Sequence, residues 1–172
     1  MEHLKIAPTQ LADKAQLLTL YQAVAIKSEG LIRIPSEIDE AYIDSFMNQA
    51  HRQGLSLAAY LHNKVVGEIH AHTPRLFAFQ HLLTDLTVAV NPDYQGKGIG
   101  RKLFTNFLDT VTQKMPHIVR VELYTRAHHQ KNIDFYKSLG FQIEGRHMDK
   151  IYKTATAFET PLSMAWRSPS HS

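Results

Sequence analysis

Residues 91–104 read NPDYQGKGIGRKLF, with glycines at 96, 98 and 100 and basic residues at 97 and 101, directly after the β-rich run LLTDLTVAV at 82–90. A strand that passes through bare backbone into a helix brings the helix's unpartnered first amides, and the positive end of its dipole, to the strand's end. Such a turn suits an anion, phosphate above all. Behind it Ile99, Leu103, Phe104, Phe107, Leu108 and Val111 share one helical face, which would dock the helix on a sheet with its N-terminus at the strand ends. The spacing separates this turn from two familiar phosphate loops. No GxxxxGK[ST] run exists, and the glycines give GxGxG where a dinucleotide site needs GxGxxG.

Outward from this turn, the chain alternates strands and helices. HLKIAP alternates apolar and polar residues and stops at Pro8, as a short strand does. Leu11, Ala15, Leu18, Tyr21 and Ala25 recur at steps of three and four and predict an amphipathic helix. A second helix is predicted over 36–50, with Ser36 as N-cap and Asp39 and Glu40 early, where the dipole favours acid. LSLAAYL and KVVGEIHAH predict a hairpin turning at His62-Asn63. VRVELYT predicts a strand, and NIDFYKSL a helix closed by Gly140 with Phe141 placed for the accompanying apolar contact. FQIEGRHM and LSMAWR supply the last strands. The order β-α-α-β-β-β-α-β-α-β-β predicts an α+β fold: a mixed, mainly antiparallel sheet of six to seven strands with about four helices on both faces. One domain is expected over 1–167, with a flexible tail at 168–172.

Composition narrows the classes. The 172 residues, 44% hydrophobic, suffice for one core. No apolar run approaches the roughly 20 residues of a membrane helix, and MEHLKIAPTQ lacks a signal-peptide core, so neither membrane nor secretion is expected. The absence of cysteine excludes disulfides, thiolate ligands and a cysteine nucleophile, and suits a reducing compartment such as the cytoplasm. The net charge of +3 is scattered rather than blocked, so no nucleic-acid tail is expected.

The pattern [QR]xxGx[GA] after a strand, filled by Gln95, Gly98 and Gly100, resembles the coenzyme A pyrophosphate loop of the GNAT superfamily of N-acetyltransferases. A second stretch, NIDFYKSLGFQIEG at 132–145, is similar to that family's aromatic-Tyr-xxx-Gly-Phe helix end. The resemblance implies a GNAT-like fold in which the strand before the loop and the strand VRVELYT splay apart. It implies acetyl-CoA as cosubstrate and no metal. The pantetheine amides would pair with Val88, Ala89 and Val90 as an added strand. The pyrophosphate would lie on the amides of Gln95, Gly96, Lys97, Gly98, Ile99 and Gly100, with Lys97 and Arg101 neutralising its charge. Many members carry an Asn seven residues before the helix tyrosine, touching the coenzyme. Here that position is His129, and an Asn follows at 132, so both are carried as coenzyme candidates.

Acetyl transfer from a thioester to an amine needs a neutral amine, a donor to the developing oxyanion and a proton for the departing thiolate. The resemblance makes Tyr136 the general acid. Asp85, on the strand leading into the loop, and Glu122, on the neighbouring strand, are the candidate bases, with a water chain as a third route. A backbone amide near Val88 to Val90 would be the oxyanion donor. The acceptor loop would be SEGLIRIPSE, where Glu29 or Glu37 would hold an ammonium and Arg33 a carboxylate. That suits an amino acid, a peptide N-terminus, an aminoglycoside or a polyamine. The alternatives are a non-catalytic acyl-CoA-binding regulatory domain, which Tyr136 disfavours, and a nucleic-acid module. His70 and His72 share a strand face, but zinc needs a third ligand, and no HExxH exists, so no metal is expected. Relatives commonly form homodimers, although nothing in the sequence marks an interface.

Overall fold

His62 and Asn63 both adopt left-handed backbone, with φ of 50° and 65°, the geometry a two-residue hairpin turn demands to match the twist of its strands. In the computed structural model, which describes residues 3–27 and 29–171, they join β2 (Gly54–Leu61) to β3 (Lys64–His72). The other elements are β1 (Leu4–Pro8), α1 (Lys14–Ile26), α2 (Glu40–Gln53), β4 (Leu82–Val90), α3 (Ile99–Lys114), β5 (Arg120–Arg126), α4 (Gln130–Ser138), β6 (Gln142–Arg146), β7 (Ile151–Thr154), β8 (Ala157–Glu159) and β9 (Pro161–Arg167). Seven strands form a mixed sheet in the order β1-β2-β3-β4-β5-β9-β6. The predicted sheet and its four helices are present. The β4–β5 pairing is parallel and confined to Leu82↔Arg120 and Leu83↔Val121. The pairs β1–β2, β2–β3, β5–β9 and β6–β9 are antiparallel.

Packing divides the chain into two compact units, Met1–His72 with Thr87–Thr110 and Thr73–Leu86 with Val111–Ser172; β4 contributes to both. In the first, α1 and α2 bury Leu17, Leu20, Tyr21, Val24, Ile43, Phe46 and Met47 with Ala58, Val65 and Ala89. Each large apolar side chain here contributes about 1.5–3 kcal/mol relative to an exposed one. The stripe predicted for α1 is therefore rotated: Leu17, Leu20 and Val24 form the buried face with Tyr21, while Leu11 is 77% exposed. KAQLLTLYQAVAI is apolar around much of its circumference, so its period left the face ambiguous. The helix after it also starts later than predicted. Pro35–Glu37 takes a 3-10 turn in which Glu37 Oε2 accepts from the Ile34 amide. The N-cap of α2 is Asp39, whose carboxylate accepts from the Tyr42 amide at 2.8 Å, in place of Ser36.

The helices of this unit lie on both faces of β3. Glu68 and His70 turn toward α1 and α2. Gly67 turns toward α3, where an added Cβ would come within 3.0 Å of Leu103 Cδ1 and 3.3 Å of Ile99 Cγ2. Only glycine admits α3 that closely. The predicted face of α3 is buried throughout, at Ile99, Leu103, Phe104, Phe107, Leu108 and Val111.

In the second unit β9 lies between β5 and β6, in continuous register with β5 from Arg120↔Arg167 to Arg126↔Pro161. The β7–β8 ribbon, which the sequence pattern missed, pairs only with itself and carries Tyr152 and Phe158 with ring centroids 5.9 Å apart. Order extends past the boundary expected at 167. Ser168 is buried, its amide donating to the Val119 carbonyl at 3.0 Å, and Pro169–His171 forms a 3-10 turn. Ser172, the end of the expected tail, and Ser28 lie outside the described residues.

Candidate active site

The glycine turn is built from both ends. Asn91 opens it: its amide donates to the Val66 carbonyl at 2.9 Å and its side chain accepts from the Asp93 amide at 2.9 Å. Gln95 then donates through Nε2 to the Val90 carbonyl at 3.2 Å, which staples the turn to the end of β4. Gly96 and Gly98 follow with φ of 73° and 77°. An added Cβ at either would meet nothing within 4 Å, so the backbone conformation demands glycine while the space above stays open. The Lys102 amide donates to the Gly98 carbonyl at 3.1 Å and starts α3. The amides of Ile99 and Gly100 thus fall in the first turn, where the helix itself supplies no acceptor. Gly100 sits over the strand end, its Cβ position 3.9 Å from Val90 Cγ2. Lys97 folds back, its ammonium 3.4 Å from the Asp93 carbonyl and 5.0 Å from the Tyr94 ring centroid. Val88 and Val90 are half-buried and Ala89 is buried.

On α4 the structure brings three sequence candidates together. His129 occupies the N-cap position and its carbonyl accepts from the Asn132 and Ile133 amides, each at 3.1 Å. Its Nδ1 lies 3.2 Å from Asn132 Nδ2, so the two coenzyme candidates contact one another. One turn on, Tyr136 packs edge-on against Phe141 at 6.1 Å between centroids. Burial pushes its phenol up to about 12, so it remains a proton donor throughout the neutral range.

The two candidate carboxylates differ in kind. Asp85 is exposed and has φ of 53° in the middle of β4, an isolated left-handed residue within the strand. Glu122 is committed on both oxygens: Arg120 Nε donates to Oε1 at 2.6 Å and Thr84 Oγ1 to Oε2 at 3.1 Å. Arg120 also grips Glu144 through both terminal nitrogens. That bonding makes Glu122 an ion-pair partner of Arg120. Beside it a cleft of about 190 Å³ is lined by Arg120, Glu122, Tyr124, Glu144, His147 and Ser163 among others. Of the acceptor-loop candidates, Arg33 stacks its guanidinium 4.4 Å from the Tyr42 ring centroid, and Glu29 is half-buried with φ of 63°.

Sequence patterning missed one constellation. Glu68 is fully buried and hydrogen-bonded by Tyr21, Ser56 and His70. Glu68, His70 and His72 alternate on β3 like a solvated polar face, and nothing local shows that α1 and β2 cover it.

The sequence matches the acetyltransferase (GNAT) family over residues 20–141, and the chain belongs to that family. It is 32% identical over 93 residues to the [ribosomal protein bS18]-alanine N-acetyltransferase of Salmonella typhimurium, a match covering 52% of this chain and 61% of that one. The aligned stretch thus spans well under the relative's full length. Among solved structures, a GNAT-family acetyltransferase from Streptococcus pneumoniae superposes with a TM-score of 0.85 at 19% identity, covering 96% of this chain and 99% of that one. YncA from Salmonella typhimurium, solved with acetyl-CoA, superposes with a TM-score of 0.80 at 19% identity, covering 95% and 93%. These two likenesses establish the fold.

Proposed function

We propose that the chain is an N-acetyltransferase that moves the acetyl group of acetyl-CoA to a primary amine of a small molecule or peptide by direct attack in a ternary complex. The observation that carries this is the turn from β4 into α3, where Gly96 and Gly98 hold left-handed backbone under open space. The amides from Gln95 to Gly100 take the pyrophosphate, and Lys97 and Arg101 supply countercharge. Val88 to Val90 receive the pantetheine amides, with His129 and Asn132 adding contacts from the start of α4. Tyr136, whose phenol stays protonated far above neutral pH, gives its proton to the departing thiolate. Asp85, exposed on β4, attracts the cationic acceptor. Residues 1–167 act as one catalytic domain, in the cytoplasm, without nucleic acid or membrane.

The acceptor we favour is an α-amine. The Salmonella relative is named for an alanine N-acetyltransferase activity, and Arg33 and Glu29 offer a cation and an anion for the two ends of an amino acid. A regulatory acyl-CoA sensor would have no use for a protonated phenol at the end of α4.

The test is thiol release from acetyl-CoA in the presence of amino acids, short peptides, polyamines and aminoglycosides, in a protein whose lack of cysteine gives no background. Saturable release that requires an amine is expected. Tight coenzyme binding with no release for any amine would favour the sensor.

A further inference from the structure

A fully buried carboxylate must be hydrogen-bonded or neutralised, because leaving it unpaired inside a protein costs several kcal/mol. Glu68, fully buried on β3, collects donors from three elements, one of them backed by a further relay. Tyr21 Oη on α1 donates to Oε2 at 2.5 Å and Ser56 Oγ on β2 to Oε1 at 2.6 Å. Thr9 Oγ1 donates to Ser56 Oγ at 2.8 Å, and His51 Nε2 on α2 lies 2.9 Å from Thr9 Oγ1. His70 Nδ1 completes the set, 2.9 Å from Glu68 Oε2 and 3.2 Å from Tyr21 Oη.

These directions assign the His70 tautomer. Glu68 only accepts and the Tyr21 proton is already directed at it, so Nδ1 carries the hydrogen. The basic nitrogen of neutral His70 is then Nε2. The ring is fixed by face-to-face stacking on Phe46, 3.9 Å between centroids and 1° from parallel. His70 bonds through Nδ1 alone, and no buried side-chain nitrogen or oxygen among the described residues lacks a partner. Nε2 therefore lies at accessible surface, on a side chain only 7% exposed. His70 also belongs to the strand beside the coenzyme stretch. The Asn91 amide donates to Val66, and the Gly67 Cβ position is 3.2 Å from the Ala89 carbonyl oxygen.

We propose that His70, oriented by Glu68, is the general base of the acetyl transfer, a role that rests on the function proposed above. Nε2 removes a proton from the acceptor ammonium, and the imidazolium is held by the Glu68 carboxylate. The neutral amine attacks the thioester carbonyl, forming the C–N bond as the C–S bond breaks. Tyr136 protonates the thiolate and regains a proton from the amide nitrogen, and His70 releases its proton to solvent. Glu68 is a positioning residue. The titratable and charged groups around the pair are Tyr21 from α1, Tyr42, His51 and Arg33 (stacked on Tyr42) from α2 and the turn before it, and Tyr60 with its partner Asp13 from β2 and α1's start.

The experiment is the pH profile of kcat/KM for wild type, His70→Gln and Glu68→Gln, with acceptor amines of graded basicity and with acetyl-CoA affinity measured by calorimetry. In wild type the acidic limb is expected at one pH for every amine. His70→Gln should lower kcat/KM about 100-fold or more, leave acetyl-CoA affinity within about twofold, lose least with amines already neutral at the assay pH, and recover in part with added imidazole. Glu68→Gln should lower kcat more than it raises KM. An acidic limb that tracks each amine's own basicity overturns the proposal whether or not the variants fold. So does a folded His70→Gln with wild-type activity and profile. A wild type that releases no thiol with any amine removes the transfer reaction itself, which is separable from loss confined to the His70 variant.

Discussion

The amide of Phe141 donates to the carbonyl of Tyr136 at 3.1 Å, while the amide of Gly140 donates to that of Lys137 at 3.0 Å. This paired closure, with Gly140 at φ of 96°, ends α4 in a Schellman motif and lays Phe141 against Tyr136. The residue proposed as acid is thereby fixed by the backbone that stops its own helix.

Gly140→Ala should cost about 1–2 kcal/mol, because an L-residue pays for left-handed backbone and the new Cβ would sit 3.3 Å from Trp166 Cδ1. Urea unfolding monitored by Trp166 fluorescence measures it. An unchanged midpoint would mean that α4 does not depend on this closure.

Tyr136→Phe should keep acetyl-CoA affinity within about twofold and lower kcat at least tenfold, the low side of general-acid effects. Since burial raises the phenol to about 12, the proton is in place at every lower pH, and ionisation of Tyr136 should not limit kcat below about pH 10. Unchanged turnover in the variant removes Tyr136 from the mechanism.

Glu159 on β8 has a side chain 7% exposed, with Arg126 Nε at 2.6 Å and Lys153 Nζ at 2.6 Å. Burial pushes its carboxyl up, but the hydrogen bonds from Lys153 and Arg126 outweigh this and hold it below the ordinary value. A depressed folded pKa stabilises the fold above the unfolded value, about 4.3, and the contribution is lost as pH falls through the folded value. Glu159→Gln should therefore cost about 2 kcal/mol at pH 7, with the gap to wild type closing below about pH 4. A gap that persists unchanged to pH 3 would show that the charge is not its source.

What the sequence made legible was what short-range chemistry determines. His62-Asn63 announced a hairpin because Asn readily takes positive φ, and Gly140 announced a helix end for the same reason. The turn at 95–100 was legible because its glycines, its strand and its apolar helix face are contiguous. The N-cap was misplaced because Pro35 favours a tight turn before the helix, which left the capping to Asp39. The β7–β8 ribbon escaped because Tyr152 and Phe158 are exposed and mark no buried face. The burial of Glu68 was hidden for a further reason. It depends on partners distant in sequence, such as Tyr21, 47 residues away.

Coenzyme binding at the glycine turn is the central claim, and the thermal shift of wild type and Gly98→Glu with acetyl-CoA, CoA, ATP and NAD tests it most directly. At 100 times its Kd a ligand adds about 2.7 kcal/mol, or roughly 5–10 °C for a chain of this size. A rise with acetyl-CoA and CoA alone, absent in Gly98→Glu, is the predicted result. No rise with either coenzyme, or an equal rise in the variant, would contradict it.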